Sequence, residues 1–405
     1  MGKPTLYFAI VLHMHQPRYN LTGPTHESEI ARDVFNQTLH PYTYPPEVIG
    51  KYENAKVTFN FTGSLIEQLN ELMNADFDPR LKGLWNRYQK AKKLGGADFV
   101  GCGYFHPIFP LIPEDDRRKQ IEMHLKIFEE TFGERPRGFW LPELAFSIRV
   151  VPVLAELGFK WTIVDGPHIV NANKDRDRYE LLYRPHCVEY DGHQIIVIPR
   201  DRGISNAQQS GYNPIWLKNE IEHGIQPHND EDFLLTVATD GENGWFRHSG
   251  ANAGFWGWFF EPLLYLLGKD PDFKFIELIT VDEYLEEHPP RDTVFVEDGS
   301  WNVPGTFDDG RFLKWTEGEN REKTWAHILE TSKLLYEVDE RVKALDKNCP
   351  LEAAGALQQA WRWLLMAEAS DSFWWGSEDW LNRSVICSNK VREKVKEVSR
   401  LCHFT

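Results

Sequence analysis

Seven short apolar runs punctuate the first three-fifths of the chain, and each hands over to a polar elbow and then to a stretch with helical spacing. They are "LYFAIVL" (6 to 12), "KVTFNF" (56 to 61), "ADFVG" (97 to 101), "RGFWL" (137 to 141), "KWTIV" (160 to 164), "QIIVI" (194 to 198) and "FLLTVAT" (233 to 239). Short β-branched and aromatic runs alternating with helices predict βαβ units and a mainly parallel sheet. The helices are marked by period and punctuation. "GSLIEQLNELM" after Thr62 carries apolar residues at 65, 66, 69, 72 and 73. "PEDDRRKQIEMHLKIFEETFG" opens on Pro113 with three acids in its first turn and closes on Gly133, and "VVPVLAELG" closes on Gly158. Asp191-Gly192 inside "HCVEYDGHQIIVIP" predicts one antiparallel hairpin. An eighth run, "FKFIELIT" (273 to 280), either joins the sheet or lies outside it.

From about Gly299 the texture changes. The segment "GSWNVPGTFDDGRFLKW" leads into three helical stretches, 319 to 346, 351 to 371 and 378 to 401. The expected organisation is a catalytic α/β unit over residues 1–298 and a helical unit over 299–405 packed on it. A length of 405 residues suits one such large unit with an appendage.

The elbows carry the chemistry. They read "HMHQP", "TGS", "GCGYFHP", "PE", "DGPH", "PRDRG" and "TDGENGW". Titratable and Gly-rich residues at strand C-terminal ends are what an α/β barrel or open sheet uses to build an active site. Glu143 in "GFWLPELAFS" stands just past the fourth run, and Asp240 in "TVATDGENGWF" stands just past the seventh. A helix-capping Glu and a loop Asp-Gly turn are the plain structural alternatives. Facing each other across a barrel mouth, two such carboxyls are the apparatus of glycoside cleavage.

Composition narrows the partner. A formal charge of -16, from 45 Lys and Arg against 61 Asp and Glu, repels nucleic acid and anionic membranes. The 15 Trp, 14 Tyr and 25 Phe, many in polar settings such as "SFWWGSEDW", suit the faces of sugar rings. Five cysteines without a C-x-x-C pair argue against a disulfide scaffold and for a reducing compartment, so a cytoplasmic location is expected. "LYFAIVL" is too short for a signal peptide and reads as a strand, and no apolar run is long enough to span a membrane.

Five ordered motifs, "HMHQP", "GCGYFHPIFP", "GFWLPE", "TDGENGW" and "AEASDSFWW", spanning residues 13 to 375, resemble those of glycoside hydrolase family 57. That family acts on α-glucans and includes amylases, amylopullulanases, glucanotransferases and branching enzymes. "FHPIFPL", "DGENGW", "GSWN" and "SDSFWW" resemble its amylopullulanase-like members most. The resemblance implies an irregular (β/α)7 TIM-like barrel followed by a helical bundle, and retention at the anomeric carbon. It implies Glu143 as nucleophile and Asp240 as general acid/base holding a proton near neutrality. It places His13, His15, His106, Trp140, Glu242, Trp245, Asp371 and Trp374 in the sugar subsite. The implied substrate is an α-1,4-linked, or also α-1,6-linked, glucan or maltooligosaccharide. One departure is Ser372, where the family often has Trp after its Asp.

His13 and His15 fall on one side of an extended chain. Same-side H-x-H suits zinc or sugar hydrogen bonding. Zinc needs a third ligand at a clear spacing, and His106, Asp165, His168 and Asp240 are only diffuse candidates. Hydrogen bonding is the preferred reading, with no metal and no cofactor. A zinc-dependent mannosidase-like or deacetylase-like barrel, a glucanotransferase or branching-type transglycosylase, and a non-catalytic glucan-binding relative are the alternatives. Arg200 and Arg202 are expected to pair with barrel-mouth acids.

Overall fold

The computed structural model describes residues 4–242, 254–302, 310–345 and 349–404. Its strands are β1 (Leu6–Met14), β2 (Val57–Phe61), β3 (Ala97–Val100), β4 (Gly138–Phe139), β5 (Trp161–Asp165), β6 (His186–Tyr190), β7 (His193–Arg200), β8 (Phe233–Asp240) and β9 (Ile276–Leu278). One sheet runs β3-β2-β1-β8, all parallel, and a second contains β4, β5 and β7, also parallel.

Two seams join the sheets into a ring. Gly101 N–H donates to Gly138 O at 2.9 Å and Trp140 N–H to Gly101 O at 2.8 Å, linking β3 to β4. Asp201 N–H reaches Thr236 O at 2.9 Å, and Arg200 Nε donates to Ala238 O at 2.7 Å, linking the end of β7 to β8. The fold is the expected irregular seven-stranded α/β barrel. β6 returns antiparallel to β7 through Asp191 and Gly192, whose φ of 49° and 75° are the left-handed values a two-residue hairpin needs. The eighth run supplies β9, which pairs with Leu6–Phe8 of β1 beside the seven-stranded ring.

Strand parity decides what reaches the mouth. In β1, Leu6, Phe8, Ile10, Leu12 and Met14 pack in the large core with residues of the surrounding helices, while Ala9 and Val11 join Trp140, Trp161, Ile163, Ile198 and Ala238 in a separate cluster filling the barrel. His13 continues the inward series. In β8 the inward series is Leu234, Ala238 and then Asp240, and in β2 Thr58 and Asn60 alternate with core Val57, Phe59 and Phe61.

The helices Gly63–Asn74, Glu114–Phe132 and Val151–Glu156 form where the apolar spacing predicts. Gly133 ends the second with φ 77°, its N–H bonded to Glu129 O. Beyond the barrel lie Glu319–Leu345, Leu351–Ala367, Ser370–Trp375 and Glu378–Leu401. The stretch expected as one helix over 351 to 371 breaks after Ala367. There the chain bridges Ala369 to Pro107, and Ser370 N–H bonds His106 O at 3.0 Å, so barrel contacts replace helical ones. Tyr104, Phe105, Ile108 and Ile112, which follow β3, share one core with these helices.

Candidate active site

At the strand C-terminal ends opens a cavity of about 520 Å³. Its walls include His13, His15, His106, Glu143, Asp240, Glu242, Asp371 and Trp374, drawn from five parts of the chain. Parallel pairing sets His13 beside Asp240 in register, and Gly241 N–H donates to His13 O at 2.7 Å. Glycine at 241 leaves room for the Met14 side chain beside this approach: a Cβ there would stand 2.4 Å from Met14 Sδ and displace it.

Glu143 caps no helix. It sits in the single turn Pro142–Leu144 with φ 59°, followed by Leu144 at φ 46°, two successive non-glycine residues in left-handed backbone. Such strain persists where surrounding contacts over-determine it. Those contacts come from residues 301 and 302. Trp301 N–H donates to Glu143 O at 3.2 Å, Trp301 Nε1 donates to Glu143 Oε2 at 2.9 Å, and Asn302 Nδ2 donates to the same oxygen. Trp301 is itself braced by Trp140 in an edge-on contact at 5.4 Å and by the Arg200 guanidinium 5.4 Å over its ring. Burial, then the charge of Asp240, pushes the Glu143 carboxyl up to about 8 against the hydrogen bond from Trp301. Burial and Asp240 likewise push Glu242 up to about 8. Glu242 Oε1 accepts from Tyr42 OH at 2.8 Å and from His15 N–H at 2.9 Å, so this carboxyl also ties down the end of β1.

The histidines form a directed chain. Asn60 Nδ2 donates to Val100 O and Gly101 O at 3.0 and 3.1 Å, which leaves Oδ1 to accept from His13 Nδ1 at 2.7 Å. Burial holds His13 down to about 3, so its Nε2 is bare and accepts from His106 Nε2 at 3.0 Å. His106 is also held well below its ordinary pKa by burial, and its Nδ1 accepts from Ser370 Oγ at 2.8 Å. His15 bonds Thr62 Oγ1 at 2.9 Å through Nδ1 and both Asp371 oxygens at 3.1 Å through Nε2.

His15, His106 and Asp371 bring ligand atoms within 4.8 Å of one another, a possible cation triangle. The hydrogen-bond chain opposes it, because His106 Nε2 carries the proton it donates to His13 and has no lone pair to give. Of the other zinc candidates, Asp240 stays in the cavity as the partner of Glu143, while two go elsewhere. Asp165 is buried between Arg200, 2.9 Å away, and Arg202, and His168 Nε2 bonds Ser300 O at 3.0 Å. Arg200 and Arg202 thus pair with a barrel-mouth acid as expected.

Trp140 corrects the sequence expectation. It is fully buried, stacked 4.8 Å behind His13 with rings 5° from parallel, and lies outside the cavity wall. Its place at the strand end continues the inward series filled by barrel core, so it supports His13 and Trp301 instead of meeting a ligand. Trp245 and Asn243 lie outside the described residues. Sequence reasoning overlooked Asn60, Tyr42, Ser370 and Gln16, and it marked Trp375 and Trp380 only as part of the aromatic segment "SFWWGSEDW". Asn60 had a signal, a carboxamide inside an otherwise apolar strand run; Tyr42 and Ser370 had none.

The family model for glycosyl hydrolase family 57 matches residues 9–297. The 4-alpha-glucanotransferase of Thermococcus litoralis is 26% identical over 313 residues, covering 73% of this chain and 42% of that protein. An alpha-amylase of Pyrococcus furiosus is 27% identical over 305 residues, again 73% and 42%. The chain thus spans about two-fifths of the length of these curated relatives. Among solved structures, a branching enzyme of Thermococcus kodakaraensis superimposes with TM-score 0.69 at 17% identity over 98% of this chain and 91% of that one, a likeness of fold.

Proposed function

The chain belongs to glycosyl hydrolase family 57, and from that premise we propose that it cleaves α-linked glucans with retention, through a covalent intermediate on Glu143 and with Asp240 as general acid/base. The observation that carries this reading is one cavity lined by both carboxyls, delivered from the ends of β4 and β8, with Asp240 raising the proton affinity of Glu143. The charges of such a pair cannot both be buried cheaply, so the pair holds one proton between them. With that proton on Asp240, its push on Glu143 vanishes, and the hydrogen bonds from Trp301 and Asn302 favour the Glu143 anion.

Glu143 Oε then bonds to the anomeric carbon while the glycosidic C–O bond breaks, and the leaving oxygen takes the Asp240 proton. Asp240 next takes a proton from water, whose oxygen displaces Glu143 and restores the starting configuration. If a sugar hydroxyl replaces the water, the same chemistry is transfer, and relatives named for both activities make transfer the second reading. His13, His15, His106, Glu242, Asp371 and Trp374 would hold the ring hydroxyls and faces. We further take residues 1–298 as the catalytic unit and 299–405 as the helical unit. We also take the location as cytoplasmic: Cys102 and Cys387 are buried free thiols, and no described helix is long and apolar enough to cross a membrane.

Glu143→Gln and Asp240→Asn should each lower turnover of maltooligosaccharides by about a thousandfold or more with unchanged circular dichroism. An aryl glucoside whose leaving group needs no protonation should recover bond cleavage in Asp240→Asn but not in Glu143→Gln. Near-wild-type turnover in either variant would overturn the assignment. Following products and anomers by NMR separates hydrolysis, giving shorter sugars, from transfer, giving longer ones.

A further inference from the structure

One wall of the cavity carries more aromatic surface than a single sugar position can use. Trp374, Trp375 and Trp380 all line it. Trp374 is pinned, with Lys314 Nζ 3.8 Å over its ring. Trp375, in contrast, is 61% exposed, an unusual fate for an indole, and its ring runs within 19° of parallel to Trp380 at 6.1 Å. The pair is held in place from behind. Gly376 turns the chain with φ 63° between the two tryptophans, so close to Arg321 that a Cβ would meet its guanidinium at 2.0 Å. Arg321 Nε in turn bonds Phe373 O at 2.8 Å. On the Trp380 side, Arg383 stacks its guanidinium 5.2 Å over the ring and bonds Tyr19 O at 3.2 Å.

We propose that Trp375 and Trp380 form a preorganised stacking site for a glucosyl unit beyond the bond that is cut, so that affinity rises with chain length. This rests on the glucan reading above. Indole faces complement the C–H faces of a pyranose, and rigid side chains lose little entropy when a ring settles on them. The site opens into the same cavity as Asp371 and His15, so a chain threaded past the carboxyls passes over it.

The test is isothermal titration of the full chain with maltotriose and maltoheptaose, with the wild-type and substituted tryptophan sites all compared in a Glu143→Gln background so that the sugars are bound and not consumed. The wild type should bind maltoheptaose more tightly. In Trp375→Ala/Trp380→Ala the preference for the longer sugar should shrink roughly tenfold, and Trp375→Tyr/Trp380→Tyr should restore most of it. A double alanine variant that keeps the full preference overturns the inference and leaves the function reading standing; a changed elution volume in that same variant would assign the tryptophans to a protein contact instead. A wild type that binds neither sugar removes the function reading and this inference with it.

Discussion

Glu143 is held in a state that costs the fold something. Burial and the charge of Asp240 raise its carboxyl from the ordinary 4.5 to about 8, so the Glu143–Asp240 pair keeps one proton in the folded protein that the unfolded chain releases, whichever of the two carboxyls holds it. Stability from this residue is therefore full below about pH 4.5 and is lost as pH rises toward 8. Glu143→Gln keeps an acceptor for Trp301 and has nothing to ionise. Thermal melts of the variant should match wild type at acid pH and exceed it increasingly up to pH 8, by about 1–3 kcal/mol, because one edge of the carboxyl meets pocket water. Parallel melting curves at all pH values would refute the buried-charge account. The positions of Glu143 and Asp240 were legible in the sequence because each follows an apolar run. The partners of Glu143 were not, since Trp301 and Asn302 lie far away in sequence and nothing local says that they fold back on it. The inward or outward sense of Trp140 was equally hidden, because parity cannot be counted along a strand of two residues, Gly138–Phe139.

At the scale of elements, the strap that brings Ser370 and Asp371 to the cavity begins at Glu368, and Glu368 is hydrogen-bonded to another carboxyl, Asp116, on the helix Glu114–Phe132. Both are buried. Gln120 Nε2 donates to Glu368 Oε2 at 3.2 Å, while Ser332 Oγ and Tyr336 OH donate to Asp116 at 2.9 and 2.6 Å. The charged neighbour is Asp115, which adds repulsion. Two carboxyls in contact keep a proton between them: burial raises both, Asp116 raises Glu368 further, and the hydrogen bond with Glu368 offsets part of the rise at Asp116. The sign follows as for Glu143: the stability this joint contributes is full below the ordinary carboxyl range and is lost as pH rises from there toward the raised value. Glu368→Gln supplies a permanent donor to Asp116, so the fall in Tm as pH rises above the ordinary carboxyl range should flatten relative to wild type. Equal slopes would clear the pair of that role. Period and caps revealed the long helices, but the break at Ala369 is enforced by Pro107 and His106 from another element. "EAAGALQQAWRWLLMAEAS" reads on its own as uninterrupted helix.

At the scale of the whole molecule, the change in texture near Gly299 suggests two units, yet the cavity and the core both straddle it. Trp301, Asn302, Ser370 and Asp371 complete a site whose strands end before residue 241. Tyr104, Phe105, Ile108 and Ile112 are buried with Trp325, Ile328, Leu364 and Phe373 in one cluster, so neither unit has that core to itself. Arg362 pairs with Glu67, and Gln120 bonds Leu365 O, stitching helix to barrel with polar contacts as well. Because the two units share that core, unfolding should cross the boundary between them cooperatively. Scanning calorimetry at neutral pH should therefore record one transition, with the calorimetric and van't Hoff enthalpies in agreement. Glu67→Ala, which strands the Arg362 guanidinium at the joint, should shift that single peak downward without splitting it. Two resolved peaks, or a low-temperature shoulder that alone moves in the variant, would mean the helices fold as an independent body that merely rests on the barrel. Asp371 and Ser370 would then reach the cavity by docking instead of by folding.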